Sequence, residues 1–233
     1  MERFQRLFLI AILAGVAAGL MLFLIHHWVV VPLIDQGEAF EQAAHLSMPG
    51  MDHGDEGWQP APGFQRTALT ALSTVLTGIG FSAILISIMT LSGRKLTAGN
   101  GVLWGFAGFV CFVLAPALGL PPLPPGAAVA DLQARQVWWL CTVVATGAGL
   151  ALGLSRSPAP LRIGGLLIIA LPHLIGAPRP MDRDALPPEL AFNFAVLAVA
   201  SNLIFWLLLG SLCGWLWTRQ NLDQTSADAS ASR

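Results

Sequence analysis

Six apolar runs free of Asp, Glu, Lys and Arg set the pattern of this chain, at 7–31, 67–91, 101–120, 138–154, 163–177 and 190–217. An α-helix needs roughly 20 mostly apolar residues to cross a hydrocarbon layer about 30 Å thick. By that measure five runs are long enough and the fifth in order, 163–177, is short. The pattern predicts an all-α, polytopic helical membrane protein with six transmembrane helices, or five if the short run is re-entrant.

Charge in the connecting stretches predicts the topology. Arg3, Arg6, Arg94, Lys95, Arg156, Arg162 and Arg219 fall in one set of connections, and cytoplasmic loops hold the excess of Lys and Arg. Asp35, Glu38, Glu41, Asp52, Asp55, Glu56, Asp131, Asp182, Asp184 and Glu189 crowd the other set, against Arg66, Arg135, Arg179 and Arg183. Both termini are therefore expected in the cytoplasm. Six crossings fit this better than five, because a re-entrant fifth run would put Arg219 outside.

At 233 residues, 55% hydrophobic and 11% charged, the chain leaves no stretch for a separate soluble domain, and its net charge of −1 implies no nucleic-acid partner. The expected organisation is one transmembrane domain over 1–217, with 32–66 as an acidic external loop, and a disordered cytoplasmic tail over 218–233. A short helix is expected within the loop, over 35–45. The first run is too long for the apolar core of a signal peptide, so an uncleaved first helix is expected.

Pro32, Pro116 and Pro172 mark the outer ends of the outward-going helices. They read first as helix stops, and alternatively as places where freed carbonyls open toward a cavity. Glycines four apart at Gly15/Gly19, Gly101/Gly105, Gly149/Gly153 and Gly210/Gly214 predict close backbone packing between helices in lipid. Cys111, Cys141 and Cys213 all sit in apolar runs, the pattern of small buried hydrophobes rather than of disulfides.

Candidate chemistry gathers on the expected outer side. The stretch MDHGDE places Asp52, His53, Asp55 and Glu56 together, with His45, Met48 and Met51 upstream. Imidazole nitrogen and carboxylate oxygen suit divalent first-row metals, whereas thioethers favour copper(I), so the loop does not name its metal. The alternative is a solvated acidic loop that binds nothing. His173 lies inside an apolar run, where an ionisable side chain is a functional candidate by default. Its alternative is a neutral imidazole hydrogen-bonded to a neighbouring helix. His26 and His27, beside Trp28, fit interfacial anchoring.

Three absences narrow the function classes. No apolar run carries a carboxylate for a proton or sodium relay, no GxxxxGK[ST] loop exists to bind ATP, and no HExxH motif supports a metalloprotease. A non-enzymatic protein with no cofactor of its own is expected.

The segments GFQRTALTALSTVLTGIGFSAIL, GVLWGFAGFVCFVLAPALGLPPLPPG, ADLQARQVWWL, LPHLIGAP and FWLLLGSLCGWLW occur in this order. Together they resemble the CbtA-type cobalt transporter subunits of bacteria, over nearly the whole chain outside the first loop and the tail. The motif positions are Arg135, Gln136, Trp138 and Trp139 in one segment and Pro172, His173 and Gly176 in the other. Arg135 reads as an interface anchor packed on aromatic rings. The resemblance implies an inner-membrane subunit that imports cobalt for cobalamin synthesis, paired with a small single-helix, His-rich CbtB-type subunit.

The family is commonly described with five membrane helices, and its members carry a more His-dense first loop than this chain does. The sequence thus leads to a subunit passing a divalent cation, cobalt, across the bilayer, with His45, Asp52, His53, Asp55, Glu56 and His173 as metal-contacting residues. The alternative is a non-transporting accessory or scaffold subunit. Homo-oligomerisation stays open.

Overall fold

In hydrocarbon a backbone must satisfy its own hydrogen bonds, so each apolar run is driven into a helix. The computed structural model describes residues 2–47, 58, 60–94, 96–154, 158–180 and 186–231, without the side chains of 2, 3, 44, 45, 47 and 222–231. Among the described residues there is no strand.

The order is α1 (Glu2–Ile25), a π-helical turn (His26–Val30), α2 (Val31–Ser47), α3 (Phe64–Leu91) and α4 (Ala98–Phe109). A second π-helical turn (Val110–Leu114), α5 (Ala115–Ala117), α6 (Leu132–Leu154), α7 (Ala159–Ile175) and α8 (Pro188–Ala231) follow. Five helical spans are long and apolar enough to cross a membrane: Phe4–Ala43, Phe64–Leu91, Ala98–Ala117, Leu132–Leu154 and Pro188–Asn221. The 17 residues of α7 rise only about 26 Å, short of the hydrocarbon thickness. The chain is thus a polytopic helical membrane protein with a sixth, shorter apolar helix.

Pro32 does not stop the first helix as expected, and α2 runs on to Ser47, beyond both ends of the helix predicted within the loop. The physical reason lies just upstream. A proline has no N–H to give the carbonyl four residues before it and its ring crowds that group. Both π-helical turns end two residues before a proline, Pro32 and Pro116, and each contains the affected carbonyl, of Trp28 and Phe112. The wider turn absorbs the misfit, so helical structure continues up to and through Pro32 and Pro116. Pro116 and Pro172 do lie in the last turns of their helices, and α7 closes at Gly176, whose φ of 94° favours glycine. At the other end, α8 continues to Ala231, so most of the tail expected to be disordered is helical.

The chain falls into two compact units, one of Met1–His27, Asp55–Gly108 and Ser201–Arg233, the other of Trp28–Gly54 and Phe109–Ala200. In the first unit the paired glycines act as predicted. A Cβ at Gly19 would stand 2.7 Å from the Thr74 carbonyl oxygen of α3, and one at Gly101 or Gly105 would strike backbone carbonyls of α8, those of Gly210 and Trp206. Phe205, Trp206, Leu209 and Cys213 of α8 are buried in the same unit. Its basic residues also converge, because Arg6 donates from Nη1 to Asn221 Oδ1 at 2.6 Å and Thr218 donates to the Leu96 carbonyl at 3.1 Å. The start of α1, the end of α8 and the turn bearing Arg94 therefore share one end of the unit.

In the second unit α7 returns antiparallel to α6. Gly165 packs on Gly149 and Leu152 near one end, and Pro172 meets Trp138 near the other. Gly153, the second member of its pair, has nothing within 4 Å of a built Cβ, so in that pair only Gly149 needs to lack a side chain. Val30, Phe194 and Ala198 form a small core with Leu33 and Ile34. Of the cysteines, Cys111 is buried and its thiol donates to the Val143 carbonyl at 3.2 Å, but Cys141 is exposed on the apolar surface, contrary to expectation.

Candidate functional site

The second unit assembles its polar side chains where α6 begins and α7 ends. Asp131 starts α6, its Oδ1 accepting the Ala134 N–H at 2.8 Å, which satisfies one of the unpaired donors of the first turn. One turn on come Arg135, Gln136, Trp138 and Trp139. Trp138 is buried, and its Nε1–H donates to the Pro172 carbonyl at 3.2 Å. That carbonyl also accepts the Gly176 N–H at 3.0 Å, so both of its lone pairs are used. The Trp138 indole fills the space left by the missing side chain of Gly119.

His173 follows directly. Its ring meets Trp138 edge-on, with centroids 5.8 Å apart and planes at 75°. It is half-buried, and its nitrogens make no hydrogen bond among the described residues, so the expectation of a partner on a neighbouring helix is not met. Around it opens a cavity of about 1040 Å³. Arg135, Gln136, Trp138, Trp139, His173 and Gly176 line it, as do Arg179 and the prolines of PPLPP at 121, 122 and 124. All the motif positions of ARQVWWL and LPHLIGAP thus meet here, Pro172 through its carbonyl.

The electrostatics are one-sided. Arg135 and Arg179 are the charged residues of the lining, which includes no Asp or Glu among the described residues. Arg135 is not stacked on a ring as an interface anchor would be. Its Nε is buried with no hydrogen-bond acceptor among the described residues, a costly state for a guanidinium donor. Arg179 entered the sequence reading only as a loop charge, and nothing but its place in GAPRP marks it as part of a site. Chemically, the cavity offers an imidazole nitrogen as a metal ligand, guanidinium donors for an anion, and an aromatic and proline wall for an apolar body.

Asp52, His53, Asp55 and Glu56 lie outside the described residues, and His45 is on α2 with its side chain outside them. Among the described residues no group of three or more His, Cys, Asp or Glu can hold a metal ion.

In the first unit the other histidines make structural contacts. His26 Nε2 lies 3.1 Å from Ser201 Oγ, and His27 stacks on Phe23 with centroids 5.7 Å apart. Trp28 beside them is exposed, as interfacial anchoring requires. The Thr74 hydroxyl donates to the carbonyls of Thr70 and Ala71 in its own helix.

No curated protein and no solved structure matches this chain. The sequence model of the family described as "Probable cobalt transporter subunit (CbtA)" matches residues 4–218. That match reaches into every helical span, and the cavity is built largely from the segments that carry the resemblance, so the chain belongs to the CbtA family of probable cobalt transporter subunits.

Proposed function

We propose that the chain is an inner-membrane subunit of a cobalt uptake system, carrying the divalent ion from the periplasm to the cytoplasm for cobalamin synthesis. The observation that carries this reading is the family match over 4–218, joined to a free imidazole, His173, in a large cavity. In this scheme His45, Asp52, His53, Asp55 and Glu56 concentrate the cation outside, and His173 is the coordination point within. Contact must stay incomplete, because a site that supplied a full ligand shell would hold the ion rather than pass it.

The basic residues at one end of the first unit support two cytoplasmic termini, since Arg6, Arg94 and Arg219 then lie on the side where Lys and Arg accumulate. The antiparallel run of α7 along α6 supports a sixth crossing. Residues of the external loop stay outside, the tail inside. A small single-helix, His-rich CbtB-type subunit is the proposed partner, and the role is transport rather than catalysis.

The test is accumulation of cobalt in cells with and without that partner, comparing nickel, zinc and copper. Wild-type uptake above background and its loss in His173→Ala at equal protein level are expected. Undiminished uptake by His173→Ala removes this residue from the mechanism.

A second reading, an accessory subunit that organises a separate path, is favoured by the lack of a three-ligand metal group among the described residues. Purified chain in proteoliposomes separates the two. Cobalt entry without any partner supports a path through this chain, and none supports the accessory role.

A further inference from the structure

The size and sign of the His173 cavity fit poorly with a bare cation. A divalent ion with about six waters, each near 30 Å³, occupies roughly 200 Å³, whereas the cavity measures about 1040 Å³. Among the described lining residues, a free Co²⁺ approaching Arg135 and Arg179 would also meet like charge and no carboxylate. A ligand bearing negative charge reverses that sign.

Three features of the lining describe such a ligand. The buried Arg135 Nε has no acceptor among the described residues, and a guanidinium edge matches a carboxylate in a paired, two-bond geometry. Arg179 supplies a second guanidinium on the same cavity. Trp139 and the prolines at 121 and 122 give an apolar wall suited to carbon rather than to hydrated ions. Into this anion-binding frame the structure sets His173, a side chain whose neutral nitrogen ligates first-row metals.

We propose that the cavity takes the transported cation as an organic carboxylate complex. Arg135 and Arg179 bind the carboxylates, the aromatic and proline wall covers the carbon skeleton, and His173 offers a nitrogen to the metal. This inference rests on the reading of the His173 cavity as part of the cation's route, and names the chemical form in which the cargo reaches it.

The experiment uses full-length protein in nanodiscs of neutral phosphatidylcholine, titrated with cobalt(II) citrate, citrate alone and cobalt(II) chloride, with binding read by calorimetry. The complex is expected to bind tightest. Arg135→Gln should weaken it roughly 10- to 100-fold, the range for losing a charge-assisted hydrogen bond, and Arg135→Lys should retain part of the affinity. Arg179→Gln, at an exposed position in an extended segment, gives a second variant whose folding is not at risk. It should weaken the complex in the same direction.

Tightest binding by cobalt(II) chloride, equal binding by citrate alone, or unchanged affinity in both Gln variants overturns the proposal. So does retention of phosphatidylglycerol, lost in Arg135→Gln, without any citrate binding, which would mark a lipid site. If His173→Ala abolishes cobalt uptake while Arg135→Gln binds the complex normally, the transport reading stands and this one falls. If neither variant changes uptake, while the complex still binds through Arg135, the cavity is off the cation's route.

Discussion

Trp138 donates its indole N–H to the carbonyl of Pro172, 34 residues away, and so fixes the end of α7 against the start of α6. The pairing has a simple cause. Pro172 cannot donate to the carbonyl of Ile168, which loosens the last turn of α7, and an outside donor is needed to hold that turn in place. His173 owes its position beside the cavity to this clamp.

Replacing Trp138 by Phe keeps most of the ring but removes the donor. The expected cost is about 1 kcal/mol, with a lower midpoint of thermal unfolding in detergent. Trp138→Ala also empties a buried ring volume and should cost about 3–5 kcal/mol. Equal midpoints for wild type and Trp138→Phe would show that the bond contributes nothing.

Glycine positions should divide sharply by their surroundings. Gly105→Val forces a side chain into the Trp206 backbone of α8, so little monodisperse protein should survive size-exclusion chromatography. Gly153→Ala meets no atom within 4 Å and removes a flexible residue from a helix. It should be neutral or stabilising by up to about 1 kcal/mol.

Asp131 caps α6 beneath the cavity. Asp131→Ala leaves the Ala134 N–H without its acceptor and should destabilise by about 1 kcal/mol, whereas Asp131→Asn should keep most of the stability. Chemical denaturation in mixed micelles reads both. A midpoint for the Asn variant as low as for Ala would mean that charge rather than capping is at work.

The orientation is open to a direct test. With the three native cysteines replaced, Asp55→Cys should react with a membrane-impermeant maleimide added to the periplasmic side. Labelling from the cytoplasmic side alone would invert the topology and with it the direction of capture.

The sequence by itself determined the membrane class and the helical fold, because a run of 20 or so apolar residues in hydrocarbon has no other way to satisfy its backbone. It also marked the motif residues from Arg135 to Trp139 and from Pro172 to Gly176, and the glycine pairs at which helices touch. Tertiary structure alone decided what those marks do. Pro32 and Pro116 both follow a widened turn, yet the helix runs on past the first to Ser47 and ends one residue after the second, at Ala117. Arg135 and Arg179 are 44 positions apart, and only the antiparallel return of α7 along α6 puts both on one cavity with His173. Periodicity and charge are local properties of a chain, whereas the sign and volume of a cavity are sums over residues that folding brings together.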